Sequence, residues 1–230
     1  MSGSTTAQPR HATGIDGCPG GWVAARLIDG SVTWATTPVD GIGELVRRDS
    51  VTGIDMPIGL LDAGRRDCDA LARGELPGAS ARVFTTPPRA VLELGPMAPN
   101  EIAQDTCRNL MGVGVSRQAL HLAPRILALD ALLAADRSLV AVEVHPELSF
   151  AALAGRVLDR KASPDGRQQR RDALRPWLHD VDRLLAERPR GVPVTDALDA
   201  LAALWSAVRW RDGLARTLPG DAAARPFIAI

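Results

Sequence analysis

Thr13-Gly-Ile-Asp-Gly-Cys-Pro-Gly-Gly-Trp-Val-Ala-Ala-Arg-Leu-Ile-Asp-Gly-Ser-Val-Thr-Trp-Ala-Thr36 is the stretch from which the fold can be read. An apolar run at Thr13–Gly17 gives way to a turn at Cys18-Pro-Gly-Gly21, and a second run, Trp22–Ile28, stops at Asp29-Gly30. Asp-Gly between two apolar runs is a strong hairpin signal, and it leads into a third run at Ser31–Thr36. Ile42, Leu45 and Val46 then recur at helical spacing within Gly41–Arg48. Val51–Met56 reads as a buried strand that Pro57 ends, because proline lacks the amide a central ladder needs. Three strands, a short helix and a further strand make an α/β domain.

Downstream the signals are less regular. Between about residues 60 and 137 lie a charged helix at Asp62–Arg73, a stretch with Pro87, Pro88, Pro96 and Pro99, and an apolar helix at Ser116–Ala135, read together as an insertion. Leu139–His145 resumes a strand with Val140, Val142 and Val144 on one face and Glu143 with His145 on the other. A helix over Thr195–Arg211 carries Leu198, Leu201, Trp205 and Val208 as one stripe. Residues 1–12 read as a frayed tail and 13–230 as a single domain.

The 230 residues are 46% hydrophobic, enough for one core, and 27 basic residues balance 27 acidic ones. No global field draws such a chain onto nucleic acid or anionic lipid. Arg156, Arg160, Lys161, Arg167, Arg170, Arg171 and Arg175, set against Asp159, Asp165 and Asp172, form the one candidate polyanion surface. The start lacks the apolar segment of a signal peptide, and apolar runs such as Ala200–Trp205 are short for a bilayer span. Cys18, Cys68 and Cys107 have no CxxC spacing. A reduced, cytoplasmic protein without a membrane partner is expected.

Acids stand at several element ends: Asp16, Asp55, Glu143 with His145 and Glu147, and Asp196 with Asp199. In open sheets ligands gather beyond the carboxyl ends of strands, so acids remote in sequence can converge on one hard cation. Carboxylates suit Mg²⁺ or Mn²⁺, and two such ions roughly 4 Å apart can drive phosphodiester hydrolysis. Asp196 and Asp199 share a helix face nearly opposite the Leu198 stripe, which suits a solvated pair as well as a ligand pair. Arg66, Asp69 and Arg73 fall on one helical side, as an ion-pair row or an anion grip. Neither a Gly-x-Ser-x-Gly elbow nor a Walker lysine is present.

Four phrases, Gly14-Ile-Asp-Gly-Cys-Pro-Gly-Gly-Trp22, Ile54-Asp-Met-Pro-Ile-Gly-Leu60, Glu143-Val-His-Pro-Glu147 and Asp196-Ala-Leu-Asp-Ala200, resemble in this order the DUF429 family of predicted ribonuclease H-like nucleases. The resemblance runs from about residue 13 to the C-terminus. It implies a mixed five-stranded sheet flanked by helices, three strands antiparallel and two parallel to the first, with the insertion between strands four and five. It implies Asp16, Asp55, Glu143 and Asp199 as catalytic metal ligands, Asp196 as a further ligand, and His145 and Glu147 assisting. Arg66, Arg73, Arg82, Lys161 and Arg170 match family positions expected on the substrate side. The Asp-x-x-Asp-Ala phrase also resembles the terminal helix of Holliday-junction resolvases, a likeness by which Asp16 would bridge two ions. The chain departs from the family pattern at Thr195, where many relatives carry an acid, and at Ala81, where serine is usual.

The expected function is therefore a Mg²⁺- or Mn²⁺-dependent phosphodiester hydrolase acting on nucleic acid or a small phosphoester, with contact through Arg156–Arg175. Two alternatives use the same superfold: a nucleotide-binding phosphotransferase or ATPase-like protein, and a noncatalytic binding module.

Overall fold

The computed structural model of the chain describes residues 9–221, 223 and 226–230; the expected tail at residues 1–8 lies outside the described residues. The opening strands are β1 (His11–Cys18), β2 (Gly21–Ile28) and β3 (Ser31–Pro38), antiparallel in succession. Asp29 and Gly30 both take positive φ, 47° and 81°, as a two-residue hairpin that follows strand twist requires. β1 begins at His11, so His11 and Ala12 belong to the sheet and not to the tail. A 3₁₀ turn over Val39–Glu44 follows in place of the expected α-helix, and then β4 (Ser50–Ile54).

Four helices occupy the insertion: α1 (Asp67–Gly74), α2 (Arg89–Glu93), α3 (Asn100–Met111) and α4 (Arg117–Ala135). The remainder comprises β5 (Val140–Val144), α5 (Pro146–Ala154), α6 (Pro164–Leu174), α7 (Val181–Ala186), α8 (Val194–Arg211), β6 (Thr217–Leu218) and β7 (Ile228–Ala229). Ser116 caps α4 and Ser163 caps α6, each accepting the amide three residues on.

The chain is thus an α/β domain whose mixed sheet has seven strands among the described residues, in the order β3-β2-β1-β4-β5-β7-β6. β1, β4, β5 and β7 are parallel, and β6 returns antiparallel to β7. This corrects the expected five. β6 and β7 are two residues each, too short to show the alternation by which strands are recognised. They are fixed by the pairing of β7 with β5 and of β6 with β7, and by α1, whose Cys68 and Ala72 pack with Leu218, Ile228 and Ile230.

One sheet face is covered by α4, where Ala123, Ile126 and Leu129 meet Ile15, Trp22 and Ile54. α4 is the one described helix long and apolar enough to cross a membrane, and here those apolar positions form the core. α8 covers the other face at very short range. A methyl group at Gly14 would lie 2.0 Å from the Leu204 nitrogen and 2.2 Å from the Ala200 oxygen; at Gly53 it would lie 2.5 Å from the Ala203 oxygen. Two glycines and a row of small helix residues let backbone lie on backbone. The Leu198 and Leu201 stripe points the other way, into Leu174, Val181 and Leu185 of α6 and α7. α8 is therefore buried on both sides, and its acid-bearing face is turned toward the sheet.

Candidate active site at the strand ends

The β1–β4 register puts Ile15 opposite Ile54, so the next residues, Asp16 and Asp55, sit side by side where the pairing of the two strands ends, Asp16 remaining paired with Val23 of β2. The Asp55 amide donates to the Ile15 carbonyl at 2.9 Å, continuing the ladder one step and holding the two carboxylates level. Side chains alternate across a sheet, and Asp16 and Asp55 share parity with Gly14 and Gly53, the residues facing α8. The first turns of α8 project over this edge and bring in Asp199. Oxygens of Asp16, Asp55 and Asp199 lie within 4.8 Å of one another.

Asp16 and Asp199 are buried and Asp55 is half-buried. Burial, reinforced by Asp55 and Asp199, holds Asp16 well above the ordinary carboxylate range. Burial followed by Asp199 pushes Asp55 up to about 8. Asp199 is raised as well, chiefly by burial, although Lys161 opposes the shift. Among the described residues one cation is ion-paired with these three acids, the Lys161 ammonium on Asp199 Oδ2, and Asp199 Oδ1 is buried with no hydrogen-bond partner. Asp16 Oδ1 accepts the Gly17 amide at 2.7 Å, and Asp196, one turn before Asp199, accepts the Thr195 hydroxyl at 3.0 Å. Burial raises Asp196 too.

Glu143 is arranged differently. It pairs in register with Ile54 and so leaves the sheet on the α4 face, not the α8 face. There its Oε2 receives Arg66 Nη2 at 2.5 Å and the Ile58 amide at 2.7 Å. Burial pushes Glu143 up to about 7 against the pull of Arg66. Arg66 is itself 2% exposed, lies 3.4 Å from Asp69, and donates to Cys68 Sγ. Asp69 in turn accepts the Thr86 amide at 2.7 Å. This network ties the segment after β4 and the start of α1 to β5. Among the described residues Glu143 has no place in the three-aspartate group.

The other expected residues divide between protein scaffold and open pocket. Arg73 holds the Val83 carbonyl and the Thr85 hydroxyl. Arg170 is fully buried, donating to the Asp159 and Gly166 carbonyls and to Glu147, with its guanidinium 5.3 Å from the Phe150 ring. Arg82 shares Glu147 at 2.5 Å and also reaches the Leu158 carbonyl. Glu147 thus anchors the loop that carries Lys161. His145 precedes α5; burial lowers its basicity, and its Nδ1 has no partner among the described residues.

Around the acids is a pocket of about 680 Å³. Its acidic lining comprises Asp16, Asp55, Asp196 and Asp199 together with Asp69, Glu143 and Glu147, Phe84 and Leu122 contribute apolar surface, and Arg82, Arg125, Arg160 and Lys161 supply cations. Sequence reasoning missed Arg125. It lies on α4, donates to the Cys18 and Gly21 carbonyls at 2.8 and 3.2 Å, and so steadies the turn next to Asp16. Its only sequence signal is a charge inside an apolar helix beside Pro124, which does not say what it meets.

The family model described as "Protein of unknown function (DUF429)" matches residues 14–224, and the chain belongs to that family. No curated protein and no solved structure matches it.

Proposed function

We propose that this member of the DUF429 family is a divalent-metal-dependent phosphodiester hydrolase with a ribonuclease H-like core, in which Asp16, Asp55 and Asp199 hold the metal. The observation that carries the reading is the charge balance of the pocket. Three carboxylates share a space 4.8 Å across, one oxygen is buried without a partner, and a single lysine stands against them. Burying like charges so closely is costly unless a cation completes the set. Hard oxygen donors of this kind suit Mg²⁺ or Mn²⁺. The strand order β3-β2-β1-β4-β5, with β1, β4 and β5 parallel, supports the core assignment, β7 and β6 being an addition at one edge.

Such an ion, when bound, supplies Lewis acidity and an activated water. The chain's own residues do the rest. The Asp55 amide and the Gly17 amide fix the two strand-end carboxylates, and α8 fixes the third. Asp196 stands one turn away as an auxiliary oxygen donor. Glu143 and Arg66 act as positioning residues by holding the Ile58 amide just beyond Asp55. Lys161 balances Asp199 until a stronger cation arrives.

Mn²⁺ titration calorimetry on the wild type and Asp16→Asn tests the reading. Binding to the wild type, lost in the variant while circular dichroism is unchanged, is the expected result. Equal heats in both proteins, or none in the wild type, overturn it.

A further inference from the structure

We infer that the pocket takes a small phosphoester about the size of one nucleotide, its phosphate near Lys161 and Arg160 and its apolar or aromatic group against Phe84 and Leu122; this rests on the hydrolase reading above. The first observation is the fate of the basic tract at residues 156–175. A protein that tracks a nucleic-acid backbone lays out many cations to neutralise successive phosphates. Here the tract is dispersed by folding: Arg170 is buried inside, Arg175 pairs with Asp172 and Asp182, and Arg167 binds the Ala162 carbonyl. Two of its cations, Lys161 and Arg160, line the pocket. Arg160 is exposed and has no ion pair among the described residues, so its charge is available to a ligand. With the whole chain neutral, no broader field replaces the lost stripe.

The second observation is the shape of the pocket. A volume of about 680 Å³ lies within the range of sites that enclose small ligands. Phe84 and Leu122 are half-buried side chains on separate insertion segments, backed by the α3–α4 cluster and the sheet cluster respectively. An apolar surface facing into an acidic, metal-suited pocket serves no phosphate backbone, but it does serve the organic part of a phosphoester. Beside Asp199 Oδ1, His145 Nδ1 is the other buried side-chain atom on the lining without a partner among the described residues.

The test is titration calorimetry on the full chain with Mn²⁺, comparing thymidine monophosphate, inorganic phosphate and a short DNA duplex, each with wild type, Leu122→Glu and Arg160→Glu. The nucleotide should bind about tenfold or more tightly than inorganic phosphate, and each substitution should weaken it about tenfold. Arg160 is exposed, so Arg160→Glu keeps the test valid if Leu122→Glu fails to fold. A duplex that binds about tenfold more tightly than the nucleotide, or nucleotide binding that neither substitution weakens, overturns the inference. Mn²⁺ titrated alone separates the two readings: its loss removes the hydrolase reading, whereas intact Mn²⁺ binding with duplex preference removes only the inference about size.

Discussion

Replacing Asp55 with asparagine should stabilise the metal-free protein while abolishing its stabilisation by metal. Asp55 is pushed from an ordinary 3.8 up to about 8, first by burial and then by Asp199. A carboxyl whose folded value is raised binds its proton more tightly in the native state, so stability is greatest below about pH 4 and falls as pH rises toward 8. Each pH unit between those limits corresponds to about 1.4 kcal/mol, which puts the burden at pH 7 at about 4 kcal/mol if Asp55 acted alone. Asp16 and Asp199 relax once their neighbour is neutral and Lys161 already offsets part of the charge, so the recoverable share is about 1–3 kcal/mol. Urea unfolding followed by circular dichroism checks this. In EDTA the Asp55→Asn midpoint should match wild type near pH 4 and exceed it at pH 7; in Mn²⁺ the wild type alone should gain. An Asp55→Asn midpoint below wild type at pH 7 in EDTA, or an equal Mn²⁺ gain in both proteins, refutes the reasoning.

Three further outcomes follow from the same structure. Mn²⁺ affinity measured by calorimetry should rise steeply between about pH 6 and 8, because Asp55 must lose its proton near 8 before it can act as a ligand. Arg66→Met should cost about 3–5 kcal/mol in urea unfolding at alkaline pH, where Glu143 is ionised with its cation gone. Arg66 holds Glu143 down, so in the variant the carboxyl takes up its proton above its present value of about 7; the cost should shrink as pH is lowered toward 7, and Glu143→Gln in the same chain should restore part of it. Gly14→Ala should lower the thermal midpoint by the upper end of the about 1–3 kcal/mol range for overpacking, or more, since the new methyl meets helix backbone that cannot turn aside. Gly74→Ala, at the helical end of α1 where the methyl meets nothing within 4 Å, should not lower the midpoint and should add about 0.4–1 kcal/mol of stability.

Much of this arrangement was legible in the residues. The Asp29-Gly30 hairpin and the alternation around Glu143 follow from local chemistry and appear where expected, whereas β4 ends at Ile54, two residues before the expected stop at Met56-Pro57. What escaped depends on contacts between remote segments. Nothing local says that Ile54 rather than Asp55 is level with Glu143, yet that one-residue register turns Glu143 to the opposite face from Asp16. The arginines at 66, 73 and 170 carry the same charge as a substrate grip, and only the fold shows them bound to carbonyls and acids of the protein. β7 exists because β5 offers it an edge and β6 because β7 does, not because two residues prefer to be strand.

The apolar stripe on α8 made Asp196 and Asp199 look turned away from the core, an inference that holds only for a helix packed on one side. α8 is packed on two. Its leucines meet α6 and α7, and its small face rests on Gly14 and Gly53, closer than any side chain would allow. The same contact that removes side chains from the interface brings the helix start down onto the strand ends. It leaves Asp199 1% exposed, at the wall of the pocket. A looser helix could relieve the repulsion among the three aspartates by moving outward; this one is locked by backbone contact on one side and leucine packing on the other. The fold therefore holds together three carboxyl groups that repulsion would otherwise separate, and that is the preorganisation the proposed metal site requires.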